Sequence, residues 1–137
     1  MGHSNQKRQS TNERALIEEP QRLKLDVERE VMGSDYGATS YTTRAEAERI
    51  GQLLDLRPGI RMLDVGAGAG WPGLFFAGTM GCHTTLIDKP SSGFEAAVVR
   101  VTRDQLKKRS MIIVGDAKLL PFANGSFDAI SHCDVLC

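Results

Sequence analysis

The sequence predicts an α/β fold in which about four parallel strands alternate with helices, and three observations support this. Short apolar runs alternate along the chain with segments whose apolar residues recur at helical spacing. The first run, RMLDV, leads directly into a glycine-rich turn that a helical pattern follows. Strand and helix alternate in this way when the sheet is parallel and the connections cross over it. We therefore expect one layered α/β domain preceded by N-terminal helices.

Composition and charge limit the classes to which the protein can belong. Its 137 residues make one domain by length, with 41% hydrophobic and 25% charged residues, as is typical of globular proteins. The 17 basic and 17 acidic residues balance, so nothing indicates attraction to nucleic acid or to an anionic membrane. No apolar run approaches the roughly 18 residues of a membrane span. The three cysteines lack paired or metal-binding spacing, which predicts reduced thiols, no metal site and a cytoplasmic location.

The N-terminal region is predicted to contain a tail and a first helix. Residues 1–14 are polar and predict a disordered tail, which places the domain at residues 15–137. Apolar residues then return, and the part after Pro20 predicts a helix that ends before Gly33.

A second helix precedes the alternating strands and helices. TTRAEAERIGQLLDL carries a helical stripe, with Thr42 or Thr43 as its N-cap. A later helix, between the second and third strands, begins with Ser92 and Glu95 at capping-box spacing. The helix that joins the first two predicted strands runs from Trp71 to about Met80. The predicted strands are Arg61–Val65, Cys82–Asp88, Ser110–Gly115 and Phe127–Cys133.

The glycine-rich turn is the most informative stretch of the sequence. Gly66, Gly68 and Gly70 remove side chains where the chain reverses, so that a ligand can approach the backbone closely. Amides exposed at the following helix favour a negatively charged group. The spacing is G-x-G-x-G, which differs from the G-x-G-x-x-G of dinucleotide-binding proteins. A tight turn without a ligand is the alternative.

Three acidic residues lie near predicted strand ends. Asp88 ends the second strand, 22 residues after Gly66, where a carboxylate can accept both hydroxyls of a ribose; a surface aspartate is the alternative. Asp116 follows the third strand and can accept from an exocyclic amine. Asp64 lies inside the first strand, where a carboxylate is costly unless it is paired. We expect Asp64 to hold loop amides or a ligand ammonium group.

Four segments resemble one known family in their order and spacing. They are LRPGIRMLDVGAGAGWPGLFFA, LIDKP, GDAKLLPFANGSFDAI and SHCDVLC, and they span about Tyr41 to Cys137. They are similar to segments of the class I S-adenosylmethionine-dependent methyltransferases, in the small-molecule-like branch. The resemblance implies a Rossmann-like doubly wound parallel sheet, S-adenosyl-L-methionine as cofactor, and methyl transfer to a small-molecule acceptor.

The resemblance also implies which residues contact the methionine half of the cofactor. The glycine loop, here Gly66, Ala67, Gly68 and Gly70, packs against that half in the family. The acid of the first strand, here Asp64, lies near the cofactor's amino group.

The adenosine half and the sulfonium are implied to contact residues further along the chain. Asp88 binds the ribose in this resemblance, and the stem of Lys89 covers the adenine or is solvated. Asp116 meets the adenine amine, and Ala117 supplies backbone. The segment from Ser131 to Asp134 passes near the sulfonium, and His132 and Asp134 are the nearest candidates for a general base. A histidine at a strand end is the alternative for His132.

Several residues depart from the family's pattern. Trp71 and Pro72 occupy positions that are usually a small or hydroxylated residue and a non-proline residue. We expect Trp71 to pack in the core, with stacking on a ligand as the alternative. Tyr36, Tyr41 and Arg44 precede the sheet where the family often contacts cofactor or substrate, and Arg44 is either a partner of the cofactor carboxylate or a surface residue.

The family's sheet has seven strands in the order 3-2-1-4-5-7-6, of which this sequence predicts four. We therefore expect a fragment or a shortened protein that supplies the cofactor-binding half and exposes the fourth strand as an edge. An exposed edge strand favours pairing with another chain, which predicts a homodimer.

Three functions remain open from the sequence. One is a methyltransferase, one is an inactive module that binds cofactor or a partner, and one is an NAD-dependent oxidoreductase that uses the same ribose acid. The glycine spacing disfavours the third.

Overall fold

A computed structural model describes residues 19–133 of the chain. The predicted tail at residues 1–14, and Asp134 to Cys137, lie outside the described residues. The helices are α1 (residues 19–32), α2 (Arg44–Leu53), α3 (Gly73–Thr79) and α4 (Ser92–Arg103). The strands are β1 (Arg61–Val65), β2 (His83–Asp88), β3 (Ser110–Val114) and β4 (Ala129–Ser131).

The four strands form one parallel sheet in the order β3-β2-β1-β4. Leu63 of β1 is aligned with Thr85 of β2 on one side and Ile130 of β4 on the other. The prediction of about four parallel strands alternating with helices is confirmed, and β1 has its predicted bounds. Because all strands run the same way, their carboxyl ends meet at one edge of the sheet, where ligands of such folds bind.

Local contacts and backbone geometry explain two boundaries of the N-terminal helices. Thr43 is the N-cap of α2: its hydroxyl accepts from the Glu46 amide at 3.2 Å, and the Glu46 carboxylate accepts from the Thr43 amide at 2.8 Å. This reciprocal pair fixes where α2 starts. Helix α1 already includes Pro20 within its described residues and ends before Gly33, as predicted; the φ of +70° at Gly33 is one that only glycine adopts easily.

The remaining elements correct several predicted bounds. Ser91, and not Ser92, caps α4, because the Ser91 hydroxyl accepts from the Phe94 amide at 3.1 Å. Helix α3 begins at Gly73, two residues after the predicted start. Strand β4 is three residues long instead of seven.

The core is divided between two clusters that pack around the sheet. One joins α2, α3 and β1 through Ala47, Phe76 and Met62, all with no exposed surface. The other joins α4 to β2 through Ala97 and Leu86, which are also fully buried. These clusters fix the β1–α3 and β2–α4 connections, which carry the glycines and acids discussed above. Within the described part of the chain, every helix is too short or too polar to cross a bilayer.

Candidate functional site

A cavity of about 310 Å³ opens at the carboxyl edge of the sheet. Its volume lies at the lower end of the roughly 300–1,000 Å³ typical of small-molecule sites. The residues that line it come from the loop before α2, the β1–α3 turn, the end of β2, the start of α4 and the segment after β4: Gly37, Ala38, Thr39, Ser40, Gly66, Ala67, Gly68, Ala69, Trp71, Asp88, Ser91, Gly93 and Cys133.

The glycine turn forms one wall of this cavity with its backbone. The amides of Gly66 and Ala67 donate to the Ile87 carbonyl at 2.8 and 3.3 Å, which ties the turn to β2. Gly68 has a φ of +49°, and a Cβ built there would have nothing within 4 Å. The wall is therefore bare at Gly68, as close approach of a ligand to the backbone requires.

The Asp88 carboxylate, at the end of β2, lines the same cavity and is hydrogen-bonded to the turn. Its Oδ2 accepts from the Gly68 amide at 2.7 Å, and its Oδ1 accepts from the Lys89 amide at 2.7 Å. Each carboxylate oxygen has a second lone pair, so Asp88 can still accept from two ligand hydroxyls. The structure thus brings together Gly66, Ala67, Gly68 and Asp88 of the predicted site.

Asp64 is buried in β1, outside the lining of the cavity. Its Oδ2 accepts from the Gly73 amide at 3.1 Å, and its Oδ1 accepts from the Ser131 hydroxyl at 2.9 Å. Burial raises the pKa of Asp64 to about 7, which outweighs the lowering effect of these two hydrogen bonds, and the Asp88 charge raises it further. Asp64 holds a loop amide, which is one of the two roles expected from the sequence.

Five other predicted site residues also lie outside the lining of this cavity. Gly70, with a φ of +91°, packs against Leu74, so a Cβ there would clash with that side chain. Lys89 and Asp116 project from neighbouring strand ends and pair at 3.4 Å, with exposed side chains. The Lys118 amide and the Lys89 ammonium hold the pKa of Asp116 below its usual range. Ala117 and His132 are exposed.

Trp71 is a core residue whose edge reaches the cavity. It is 5% exposed, and its Nε1 donates to the Thr42 carbonyl at 2.8 Å. Its ring lies 5.1 Å from that of Tyr36 and 5.2 Å from that of Phe75. Core packing of Trp71, the preferred expectation, is what the structure shows, and the ring also ties the start of α2 to the glycine turn.

The aromatic and basic residues before the sheet do not line the cavity. Tyr36 packs between Trp71 and the Arg100 guanidinium, and burial raises the pKa of its hydroxyl. Arg44 pairs with Glu48 at 3.0 Å and is exposed, as is Tyr41. The sequence interpretation of Arg44 as a surface residue fits this placement.

Sequence reasoning missed most of the second wall. Gly37 to Ser40 line the same cavity as the glycine turn, and Ser91, Gly93 and Cys133 complete the lining. A signal was available for the first group, because Gly-Ala-Thr-Ser is a run of small residues just before a capped helix. Gly93 lies a few residues after the end of the second strand, just as the glycine turn follows the first strand. The sequence therefore also indicated a second position of bare backbone at this edge of the sheet.

Comparisons with known proteins agree with this geometry. The family model described as "Methyltransferase domain" matches residues 62–137. The chain is 30% identical over 95 residues to 24-methylenesterol C-methyltransferase 2 of Oryza sativa subsp. japonica. The matched stretch covers 69% of this chain and 26% of that protein.

Two solved structures share the fold over most of the described residues. A SAM-dependent methyltransferase from Thiobacillus denitrificans, solved with S-adenosyl-L-homocysteine, has a TM-score of 0.59 and 27% identity, over 66% of this chain and 36% of that one. The [4+2]-cyclase SpnF has a TM-score of 0.54 and 30% identity, over 64% of this chain and 34% of that one. The chain therefore spans about a quarter to a third of the length of these proteins.

The family match covers more than half of the chain and includes the glycine turn, Asp88 and β4. The strand order is the one that the sequence resemblance implied for the first four strands. The chain belongs to the methyltransferase-domain family, within the class I S-adenosylmethionine-dependent methyltransferases.

Proposed function

We propose that the chain binds S-adenosyl-L-methionine in the cavity at the carboxyl edge of the sheet and serves methyl transfer to a small-molecule acceptor. The observation that carries the proposal is the joint position of Asp88 and the bare backbone at Gly68 on one wall. A ribose needs a nearby acceptor of two hydroxyl hydrogens, and a bulky ligand needs a wall without side chains. The glycine turn and the end of β2, joined by the hydrogen bond from the Gly68 amide to Asp88, supply both.

The cofactor would supply a methyl group that is already activated by its sulfonium. The contribution of the chain is then to orient reactants, and good positioning alone can supply about 7–11 kcal/mol of a barrier. In this proposal, Asp88 fixes the ribose, and Gly66 to Gly68 fix the methionine half. Asp64 acts indirectly, because it holds the Gly73 amide below the turn.

The adenine end is proposed to lie beyond the end of β2, towards β3. Asp116 and Lys89 pair across these two strand ends, and Ala117 follows Asp116. An adenine amine can donate to Asp116 when the exposed Lys89 side chain rotates away, which costs little because exposed ion pairs contribute about 0–1 kcal/mol. His132 remains a proposed neighbour of the reacting centre.

A second hollow supports a small-molecule acceptor. It has a volume of about 220 Å³ and shares Ala38, Ser40 and Trp71 with the first cavity. Val27 and Val31 of α1 line its other side. Its mainly apolar walls, directly beside the proposed cofactor site, suit an acceptor with an apolar body.

A module that binds cofactor without transferring a methyl group is the second candidate. One observation favours it: one of the similar structures is a [4+2]-cyclase. Both candidates predict binding of S-adenosyl-L-homocysteine. A methylation assay with labelled cofactor separates them, because only the first predicts turnover.

Calorimetric titration tests the shared part of the proposal. S-adenosyl-L-homocysteine is expected to bind saturably, and NAD is not. Binding of NAD alone would instead support the oxidoreductase, which the glycine spacing disfavours.

The homodimer remains a proposal that concerns the outer edge of β4. Within the described residues, β4 pairs with β1 alone, and Ile130 on it is 57% exposed. Light scattering after size exclusion is expected to give twice the monomer mass, and Ile130→Lys is expected to return the protein to a monomer. A wild-type monomer at high concentration would refute the pairing. The cytoplasmic location is likewise a prediction that awaits a localisation experiment.

A further inference from the structure

We infer that Glu28 of α1 is a positioning residue for the cofactor cavity, because it holds the loop that forms the second wall. The inference rests on the proposed function. It assigns a role to α1, which lies outside the residues that the family model matches.

Glu28 accepts three hydrogen bonds from one short stretch of loop. Its Oε1 accepts from the Ser34 hydroxyl at 2.8 Å and from the Tyr36 amide at 2.8 Å. Its Oε2 accepts from the Gly37 amide at 2.7 Å. All three bonds are partly buried, and bonds to a charged acceptor are the stronger class of hydrogen bond. One carboxylate thus fixes the path of the chain from residue 34 to residue 37.

The same loop is held from the opposite side by α4. The Arg100 guanidinium donates to the Asp35 carbonyl at 3.0 Å and to its Oδ1 at 2.7 Å. It also lies 3.4 Å from the centroid of the Tyr36 ring. Burial raises the pKa of Asp35, but Arg100 and Arg29 outweigh it and lower the pKa. The loop is therefore held between two helices. If the hydrogen bonds to Glu28 are lost, the amides of Tyr36 and Gly37 are freed, while Arg100 keeps the loop attached to α4.

The last bond of the clamp is made by the first residue of the cavity wall. Gly37 donates to Glu28 and begins the run from Gly37 to Ser40, which lines the same cavity as the glycine turn. Its φ of +65° lies in the left-handed region, so the direction of the wall is set at this residue. Displacing the Gly37 amide moves the wall relative to Gly68 and Asp88, and a ligand held between both walls loses contacts on one side.

Glu28→Gln tests this role with the smallest change in shape. One oxygen is retained and can still accept from one side of the clamp, but the other becomes an NH₂ group. Whichever way the amide turns, either Gly37 or Tyr36 then faces a donor in place of an acceptor. Glu30→Gln is the matched control, since it removes the same charge from an exposed position of the same helix.

The experiment measures binding of S-adenosyl-L-homocysteine by calorimetry and amide hydrogen exchange on all three proteins. Glu28→Gln is expected to raise Kd tenfold or more and to speed exchange at Tyr36 and Gly37, while the amides of β1 keep their protection. Glu30→Gln is expected to stay within twofold of wild type in Kd. Ser34→Ala removes one of the three bonds and is expected to raise Kd about threefold; it also serves if Glu28→Gln does not fold.

The outcomes separate this inference from the proposed function. Wild-type protein that binds no S-adenosyl-L-homocysteine would overturn the proposed function, and the positioning role with it. Wild-type binding with unchanged Kd in both Glu28→Gln and Ser34→Ala would overturn the inference alone. A lower melting temperature without a change in Kd would show that the clamp serves stability only, which also overturns it.

Discussion

Replacing Asp64 with asparagine probes the buried acid beneath the glycine turn. The side chain is 1% exposed and receives hydrogen bonds from Gly73 and Ser131. Asparagine has nearly the same shape, and its oxygen can accept from the Gly73 amide while its NH₂ donates to the Ser131 hydroxyl oxygen. The substitution therefore removes a titrating group from the core with little change in packing.

The expected size follows from the pKa of Asp64. Burial raises that pKa from the ordinary value of 3.8 to about 7, so the folded protein binds a proton more tightly than the unfolded chain does. The stability that this proton provides is complete below about pH 4 and is lost as pH rises to about 7. A separation of about 3 pKa units at about 1.4 kcal/mol each corresponds to about 4 kcal/mol.

Urea unfolding at several pH values between 4 and 8 measures the effect. The difference in the free energy of unfolding between Asp64→Asn and wild type is expected to rise by up to about 4 kcal/mol in favour of the variant across this range. Contributions of other titrating groups cancel in the difference.

Asp128→Asn is a control of opposite sign. Asp128 is exposed and paired with Arg61 at 2.9 Å, which lowers its pKa to about 2. Its stabilising effect is present above about pH 4 and is lost as pH falls towards 2, so the variant is expected to be less stable than wild type at neutral pH. A pH-independent difference in unfolding free energy for Asp64→Asn would contradict this prediction, because it would mean that Asp64 keeps its ordinary pKa when folded.

Two further substitutions test the turn itself. Gly73→Ala places a Cβ against the Asp64 carboxylate and is expected to cost about 1–3 kcal/mol of unfolding free energy, whereas Gly78→Ala in the same helix meets only ordinary contacts and is expected to be neutral or stabilising. Asp88→Asn turns a donor towards either the Gly68 or the Lys89 amide and is expected to raise the Kd for S-adenosyl-L-homocysteine at least tenfold.

Each of these has a result that counts against it. Equal stability of the Gly73 and Gly78 variants in urea unfolding would mean that Asp64 does not lie against Gly73. An unchanged affinity of the Asp88 variant for S-adenosyl-L-homocysteine in calorimetry would mean that Asp88 does not bind the ribose.

Local patterns predicted the part of the fold that depends on neighbouring residues. Arg61–Val65 forms a strand because its apolar run is bounded by turn residues on both sides, and Thr43 caps α2 because its hydroxyl needs only the amide three residues ahead. The N-cap of α4 was predicted wrongly because a pairing of residues in sequence does not show the backbone conformation. Ser92 has the capping-box partner in sequence, but Ser91 has the extended backbone that a cap requires.

Long-range contacts decide the parts of the site that sequence reasoning did not reach. Ser131 lies 67 residues from the Asp64 carboxylate that it contacts. Glu28 looks like any acidic residue on a polar helix face, and its three partners become visible only when the loop folds back on α1. The sequence could indicate that Asp64 needs a partner, but only the sheet register identifies Ser131.

Calorimetric titration of S-adenosyl-L-homocysteine into wild-type protein and Asp88→Asn tests whether this chain binds the cofactor through Asp88. Saturable binding of one ligand per chain is expected, at least tenfold weaker in the variant, with no binding of NAD. No heat of binding in the wild type, or equal affinity in both proteins, would contradict this expectation.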